Sequence, residues 1–223
     1  MDKPSNGALN GRQTTAFDLL ANVVETDGSG GHPHVRRLLA PRAPTRDLAD
    51  AVHALCAVHG RHPGMIDEAH DHCAQPEACD WLKEAGNGFV TERGALVHLT
   101  AAAGPLPSTP GQSESEAALA GVRHAVSMLA HSDRGGCATG AAAALVEDWT
   151  VIRQLLSVTA SGLGISLSPV ELPPTRVTAA AIATLGATAP IERAMMFGAR
   201  QLLAQHRGLW DLLEARAAAR DRG

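Results

Sequence analysis

Histidine and cysteine, two metal-ligating residue types, are concentrated in the first third of the sequence. Seven of the 11 histidines lie between residues 32 and 72, and three of the four cysteines lie between residues 56 and 79. The densest stretch is MIDEAHDHC, which runs from Met65 to Cys73. Imidazole and thiolate groups are ligands that zinc and iron accept. The stretch therefore predicts a zinc or iron site, and the cofactor is otherwise unknown.

The ligands of this site can be assigned by helical spacing. On a helix over residues 64–74, His70 and Cys73 lie on one face, and a preceding turn could bring a further histidine to them. Glu68 and His72 share another face and form the alternative pair. The competing interpretation is an ordinary solvated helix face with no metal. The predicted metal ligands are His59, His62, His70 and Cys73.

A second chemically unusual feature is a glutamate within an apolar helix face. Glu92 interrupts a seam of apolar residues spaced three and four apart, from Leu82 to Ala103. A carboxylate buried there must be paired or protonated, because an isolated buried charge costs several kcal/mol. If the helix is instead rotated or broken at Gly88 or Gly94, the glutamate is exposed. The predicted buried polar cluster comprises Glu92, Arg153, His206, Glu147 and Asp148.

The elements that would position these residues are helices. Aromatic residues make up only 3% of the chain, and alanine and leucine, which favour helix, dominate the apolar residues. Apolar positions repeat with the helical period in most segments. The sequence predicts an all-α bundle, with four longer helices after a smaller N-terminal helical set. The longer helices are expected over residues 76–103, 113–132, 138–162 and 189–219.

One domain is expected over residues 14–219. Residues 1–13 are rich in proline, serine, asparagine and glycine and are predicted to be disordered. The stretch Gly104–Gly111 reads as a mobile linker inside the bundle, and the charged tail from Arg216 onwards is expected to fray. The bundle layout is up-down, ferritin-like or haem-oxygenase-like.

The layout resembles ferritin-like and haem-oxygenase-like bundles, which set acidic residues and histidines on four helices to hold iron. Glu92, His124, Glu147 or Asp148, and His206 fall on four successive longer helices. The resemblance implies that these side chains converge at one iron centre. The sequence departs from the ferritin-like pattern, because the two Glu-x-x-His pairs of the di-iron proteins are absent.

Charge and motif content narrow the function classes. A net charge of −4 gives no basic surface for nucleic acid, and no run of 18 apolar residues predicts a membrane span. The start resembles no signal peptide, so a cytoplasmic location and four free thiols are expected. Phosphate-loop, dinucleotide and nucleophile-elbow motifs are missing. The sequence favours a binding or interaction module with an unknown partner; the alternative is a metal-dependent enzyme built on the buried acidic and histidine cluster.

Overall fold

A computed structural model describes residues 14–222, which contain nine α-helices, two short 3-10 turns and no strand. The all-α prediction is confirmed. The prediction of disorder for residues 1–13 lies outside the described residues. The helices are α1 (Ala16–Asp27), α2 (Pro33–Leu39), α3 (Thr45–His59), α4 (Met65–His72), α5 (Cys79–Ala103), α6 (Gln112–Ala130), α7 (Cys137–Gly162), α8 (Thr175–Leu185) and α9 (Ala189–Arg222).

Helices α7 and α9 form the centre of the bundle. Most of α7 is buried on all sides, and its first turns are built from small residues, including the run Ala141–Ala144. Two glycines bring the helices together, since a side chain on Gly140 would collide with the backbone of Met195, and one on Gly198 with the carbonyl of Cys137. Helices α1, α3, α5 and α6 pack around this pair.

Replacing a glycine at this crossing should destabilise the fold. We expect Gly140→Ala to lower the free energy of unfolding by about 1–3 kcal/mol, because the added methyl group forces two helix backbones apart. Gly94→Ala is the matched control, since nothing lies within 4 Å of the added carbon on α5. It should stabilise by roughly 0.5–1 kcal/mol, the helix preference of alanine over glycine. Urea unfolding measures both; equal effects of the two substitutions would contradict the close crossing.

Helix α5 is continuous despite its three glycines. Gly86 lies against Asp67 and Ile66 of α4, and Gly88 leaves room for the backbone of Glu171 in the loop before α8. These glycines therefore permit close packing instead of breaking the helix. The uninterrupted register is what places Glu92 on the inner face.

The C-terminal end of α9 is held by buried ion pairs, so the fraying predicted from Arg216 onwards is wrong. Arg216 donates to Asp50 of α3 through Nε and NH2, with the shortest distance 2.9 Å. Arg220 bridges Asp50, at 2.7 Å, and Asp47, at 2.9 Å. It also donates to Thr109 at 2.8 Å, which ties down the loop between α5 and α6. A charged tail looks the same in sequence whether it is solvated or paired with acids far away in the chain.

The expectation of four free thiols is also wrong. Cys73 and Cys79 form a disulfide between the end of α4 and the start of α5, with 5.9 Å between their Cα atoms. Cys56 and Cys137 are free thiols. None of the helices within residues 14–222 combines the length and the apolar character that are needed to cross a membrane.

Candidate functional site

Glu92 is completely buried on α5 and is matched by donors from α7. Its carboxylate accepts hydrogen bonds from Trp149 Nε1 and from Arg153 NH1, each at 2.9 Å. The Arg153 guanidinium, which is 12% exposed, also donates to the backbone carbonyl of Ser168 in the loop before α8. The charge of Glu92 is therefore compensated inside the core. The structure brings together Glu92 and Arg153, and it adds Trp149, which sequence reasoning missed.

Asp148 is the centre of a second buried group, one residue before Trp149. The backbone N–H of Ser29 donates to Oδ1 at 2.7 Å, and the Ser29 hydroxyl donates to Oδ2 at 2.6 Å. His206 of α9 donates to Oδ2 through Nδ1 at 2.7 Å. Trp210, one helical turn further along α9, donates to the Ser29 hydroxyl at 2.8 Å. One carboxylate thus joins α7, α9 and the 3-10 turn after α1.

His59 continues this group into α3. Its Nε2 lies 3.1 Å from Nε2 of His206. Burial lowers the pKa of His59 well below its ordinary value, and the neighbouring His206 lowers it further. A neutral His59 donates its Nε2–H to His206 when His206 keeps its own proton on Nδ1, facing Asp148. The ring of His59 also packs edge-on against Trp149, with centroids 5.4 Å apart, so the two buried groups touch.

His206 and Glu147 form no hydrogen bond with Glu92, although the sequence predicted one cluster that contains all three. His206 is paired with Asp148 and not with Glu92, because Asp148 is the carboxylate on the face of α7 that meets α9. Glu147 accepts a hydrogen bond from Thr175, at 3.0 Å, at the start of α8. Burial raises the pKa of Glu147, and the hydrogen bond from Thr175 opposes the shift. The predicted cluster is therefore two adjoining groups plus a separate glutamate.

The predicted metal ligands are not brought together. His59 points into the core, whereas His62 is 71% exposed and lies 3.4 Å from Asp67. His70 lies beside Asp71, and the sulfur of Cys73 is bound in the disulfide. His70 lies on the short helix α4 as predicted, but Cys73 is the left-handed residue that directly follows the helix, and the spacing could not give the direction of the turn before α4. The iron centre implied by the resemblance is not formed either, because His124 is exposed on α6, whereas Glu92 and His206 are buried and bonded to separate partners, Arg153 and Asp148.

One group of three metal-ligating side chains does occur within residues 14–222: His32, Asp211 and Glu214. His32 Nδ1 accepts the backbone N–H of His34 at 3.1 Å. Its Nε2 must then carry the proton of the neutral ring, and it faces Asp211 Oδ1 at 3.0 Å. A metal-bound histidine normally has the opposite arrangement, with its second nitrogen donating. This hydrogen bonding favours a structural role for His32.

An open cleft of about 410 Å³ lies between α6 and the turn that joins α3 to α4. Arg61 of the turn and Arg123 of α6 line it, and within residues 14–222 neither has an acidic partner within 4.0 Å. Glu68 forms part of the wall and accepts a hydrogen bond from Ser127 at 2.8 Å. Sequence reasoning missed this cleft, because its two arginines are 62 residues apart (123 minus 61) in unrelated segments.

The chain belongs to a family of unknown function (DUF6975). The family model matches residues 24–221. The match spans both buried polar groups and the cleft. Comparison with curated proteins gave no match, and comparison with solved structures gave none.

Removal of the Glu92 carboxylate should be costly. We expect Glu92→Ala to lower the free energy of unfolding by about 3–5 kcal/mol, because Arg153 and Trp149 lose their acceptor inside the core. Glu84→Ala, on the exposed face of the same helix, should change it by less than about 0.5 kcal/mol. Denaturant unfolding monitored by circular dichroism measures both. Tolerance of Glu92→Ala at the level of the control would contradict the assigned pairing.

Proposed function

We propose that the protein is a binding module that takes a small anionic molecule in the cleft between α6 and the turn joining α3 to α4. The proposal rests above all on one observation: Arg61 and Arg123 line this cleft without acidic partners among the described residues. Arg93 and Arg216, which are buried, are instead each paired with a carboxylate, Arg93 with Asp67 and Arg216 with Asp50. A guanidinium left free beside a cavity is available to a carboxylate or phosphate ligand.

The local backbone adds to the positive character of the cleft. Gly64 and Met65, at the N-terminus of α4, form part of the lining. The first N–H groups of a helix are free of intrahelical partners and carry partial positive charge, which favours anions. The N–H of Gly64 is already taken by Asp67 at 2.8 Å, so the following N–H groups are those available to a ligand.

The dimensions of the cleft suit a small molecule. Its volume of about 410 Å³ falls within the range of ordinary ligand pockets, about 300–1,000 Å³. Val58, Met65 and Val126 supply apolar surface beside the charged groups. Glu68 adds one acidic group to the wall, so a ligand that also carries an ammonium group would find a partner there.

The alternative function, a metal-dependent enzyme built on the buried acidic and histidine residues, has less support. Glu92 and Asp148 each accept three hydrogen bonds from protein donors. A metal ion would have to displace these donors and leave them unpaired in the core. We further propose a cytoplasmic location, where the Cys73–Cys79 disulfide would have to withstand cellular reductants.

Calorimetric titration of the full chain with inorganic phosphate and with a small dicarboxylate tests the binding proposal. We expect saturable binding that weakens at least tenfold in Arg123→Ala and in Arg61→Ala, because each loses one charge-assisted contact, worth about 1.5–3 kcal/mol. Arg176→Ala, an exposed arginine on α8, is the control and should bind as the unaltered chain does. Equal binding by the chain that lacks both Arg61 and Arg123 would contradict the proposal.

A further inference from the structure

Two histidines meet where the end of α4 packs against the end of α6, and one of them, His72, belongs to the alternative pair that the sequence offered with Glu68. His72 is the last residue of α4, and His131 directly follows α6. Their ring centroids are 6.1 Å apart and the rings are inclined by 44°. Their side chains are 33% and 52% exposed, so both are open to an ion from solvent.

Each ring has an acceptor that fixes which nitrogen carries the proton. His131 Nδ1 lies 2.9 Å from the carbonyl oxygen of Ser127, which can only accept, so the neutral ring holds its proton there. His72 Nε2 lies 3.0 Å from Asp133 Oδ1 and donates to it. Nε2 of His131 and Nδ1 of His72 therefore carry lone pairs. This is the arrangement of metal-bound histidines, whose second nitrogen donates to a carbonyl or carboxylate, and the reverse of that at His32.

The distance between the rings is compatible with a shared ion. A zinc–nitrogen bond is about 2.0–2.1 Å, so two rings bound to one tetrahedral ion have centroids roughly 5–5.5 Å apart, and from the observed 6.1 Å the rings would have to approach by about 1 Å. Glu68 lies one turn before His72 on α4, and its Oε2 is 3.9 Å from His131 Nδ1. No hydrogen bond within residues 14–222 engages its other oxygen. The ligand atoms of the three side chains do not all lie within 4.8 Å of one another, so Glu68 has to rotate away from Ser127 to become a third ligand, with water completing the shell.

We propose that His72 and His131 bind a zinc ion, or a similar borderline divalent cation, that joins α4 to α6, with Glu68 and water as further ligands. Two imidazoles and a carboxylate suit zinc better than calcium or magnesium, which prefer oxygen ligands alone. The ion would fasten the end of α4 beside the cleft. Glu68 belongs to both sites, but the zinc site does not depend on the anion-binding proposal, because Arg61 and Arg123 take no part in it.

Calorimetric titration of the full chain with zinc chloride, without a histidine tag or reductant, tests the site. We expect one zinc ion per chain, and affinity at least tenfold lower in His72→Ala and in His131→Ala. His70→Ala, on the same helix but beside Asp71, and His32→Ala are matched controls that should keep the affinity. Cobalt substitution should give the visible absorption of a nitrogen-ligated ion, and this absorption should be lost in the His72→Ala variant.

His72 and His131 both lie at the surface, so the His72→Ala and His131→Ala variants should keep the helical circular dichroism of the unaltered chain. Unchanged zinc affinity in the double variant His72→Ala, His131→Ala would overturn the proposal. Loss of the bound zinc in His32→Ala alone would also overturn it, and would place the ion with Asp211 and Glu214 instead.

Discussion

The buried carboxylate of Asp148 is the constraint on which the rest of the interior depends. It lies in the middle of α7, where an uncompensated charge would cost several kcal/mol. Its three donors come from the turn at Ser29 and from His206 of α9, and His206 extends the contact to His59 of α3. The next residue, Trp149, packs edge-on against the ring of His59 and donates a hydrogen bond to the carboxylate of Glu92 on α5. The buried polar groups of one helix, α7, thus fix the positions of four other segments: the turn at Ser29, α9, α3 and α5.

Saturation of these groups is one reason why the proposed ligand is placed at the surface and not in the core. The buried carboxylates of Glu92, Asp148 and Asp50 are matched by donors and gain little from a ligand, since the ligand would have to replace bonds that already exist. The cleft lined by Arg61 and Arg123 is different, because its charges are left without acidic partners in the described part of the chain. The division is physically reasonable for a binding protein: the buried network fixes the helices, and the free charges lie on segments that those helices hold in place.

Helical periodicity predicted much of this fold, including the inner-face position of Glu92 and its closeness to Arg153. The remaining features depend on directions that a sequence does not contain. Ser29 lies in a glycine-rich turn with no apolar pattern, so nothing marks it as the partner of a carboxylate 119 residues away. The metal ligands predicted around His70 are not brought together, because the spacing of ligands on one helix does not determine the direction of the turn before that helix. Arg216 shows the same limit, since its pairing with Asp50 spans 166 residues.

His59 lies neutral in the core, bonded to His206 and through it to Asp148. In the unfolded chain the ring takes up a proton as pH falls below about 6.5, whereas the buried ring does not, so acid favours the unfolded state. The contribution of His59 to stability is therefore complete above that pH and decreases below it. Nitrogen-15 NMR of the imidazole rings between pH 7.5 and 5.5 is the most direct measurement. The account predicts that the ring nitrogens of His59 keep the shifts of a neutral imidazole throughout in the folded protein and titrate near 6.5 in urea. Titration of His59 near 6.5 in the folded protein would contradict it.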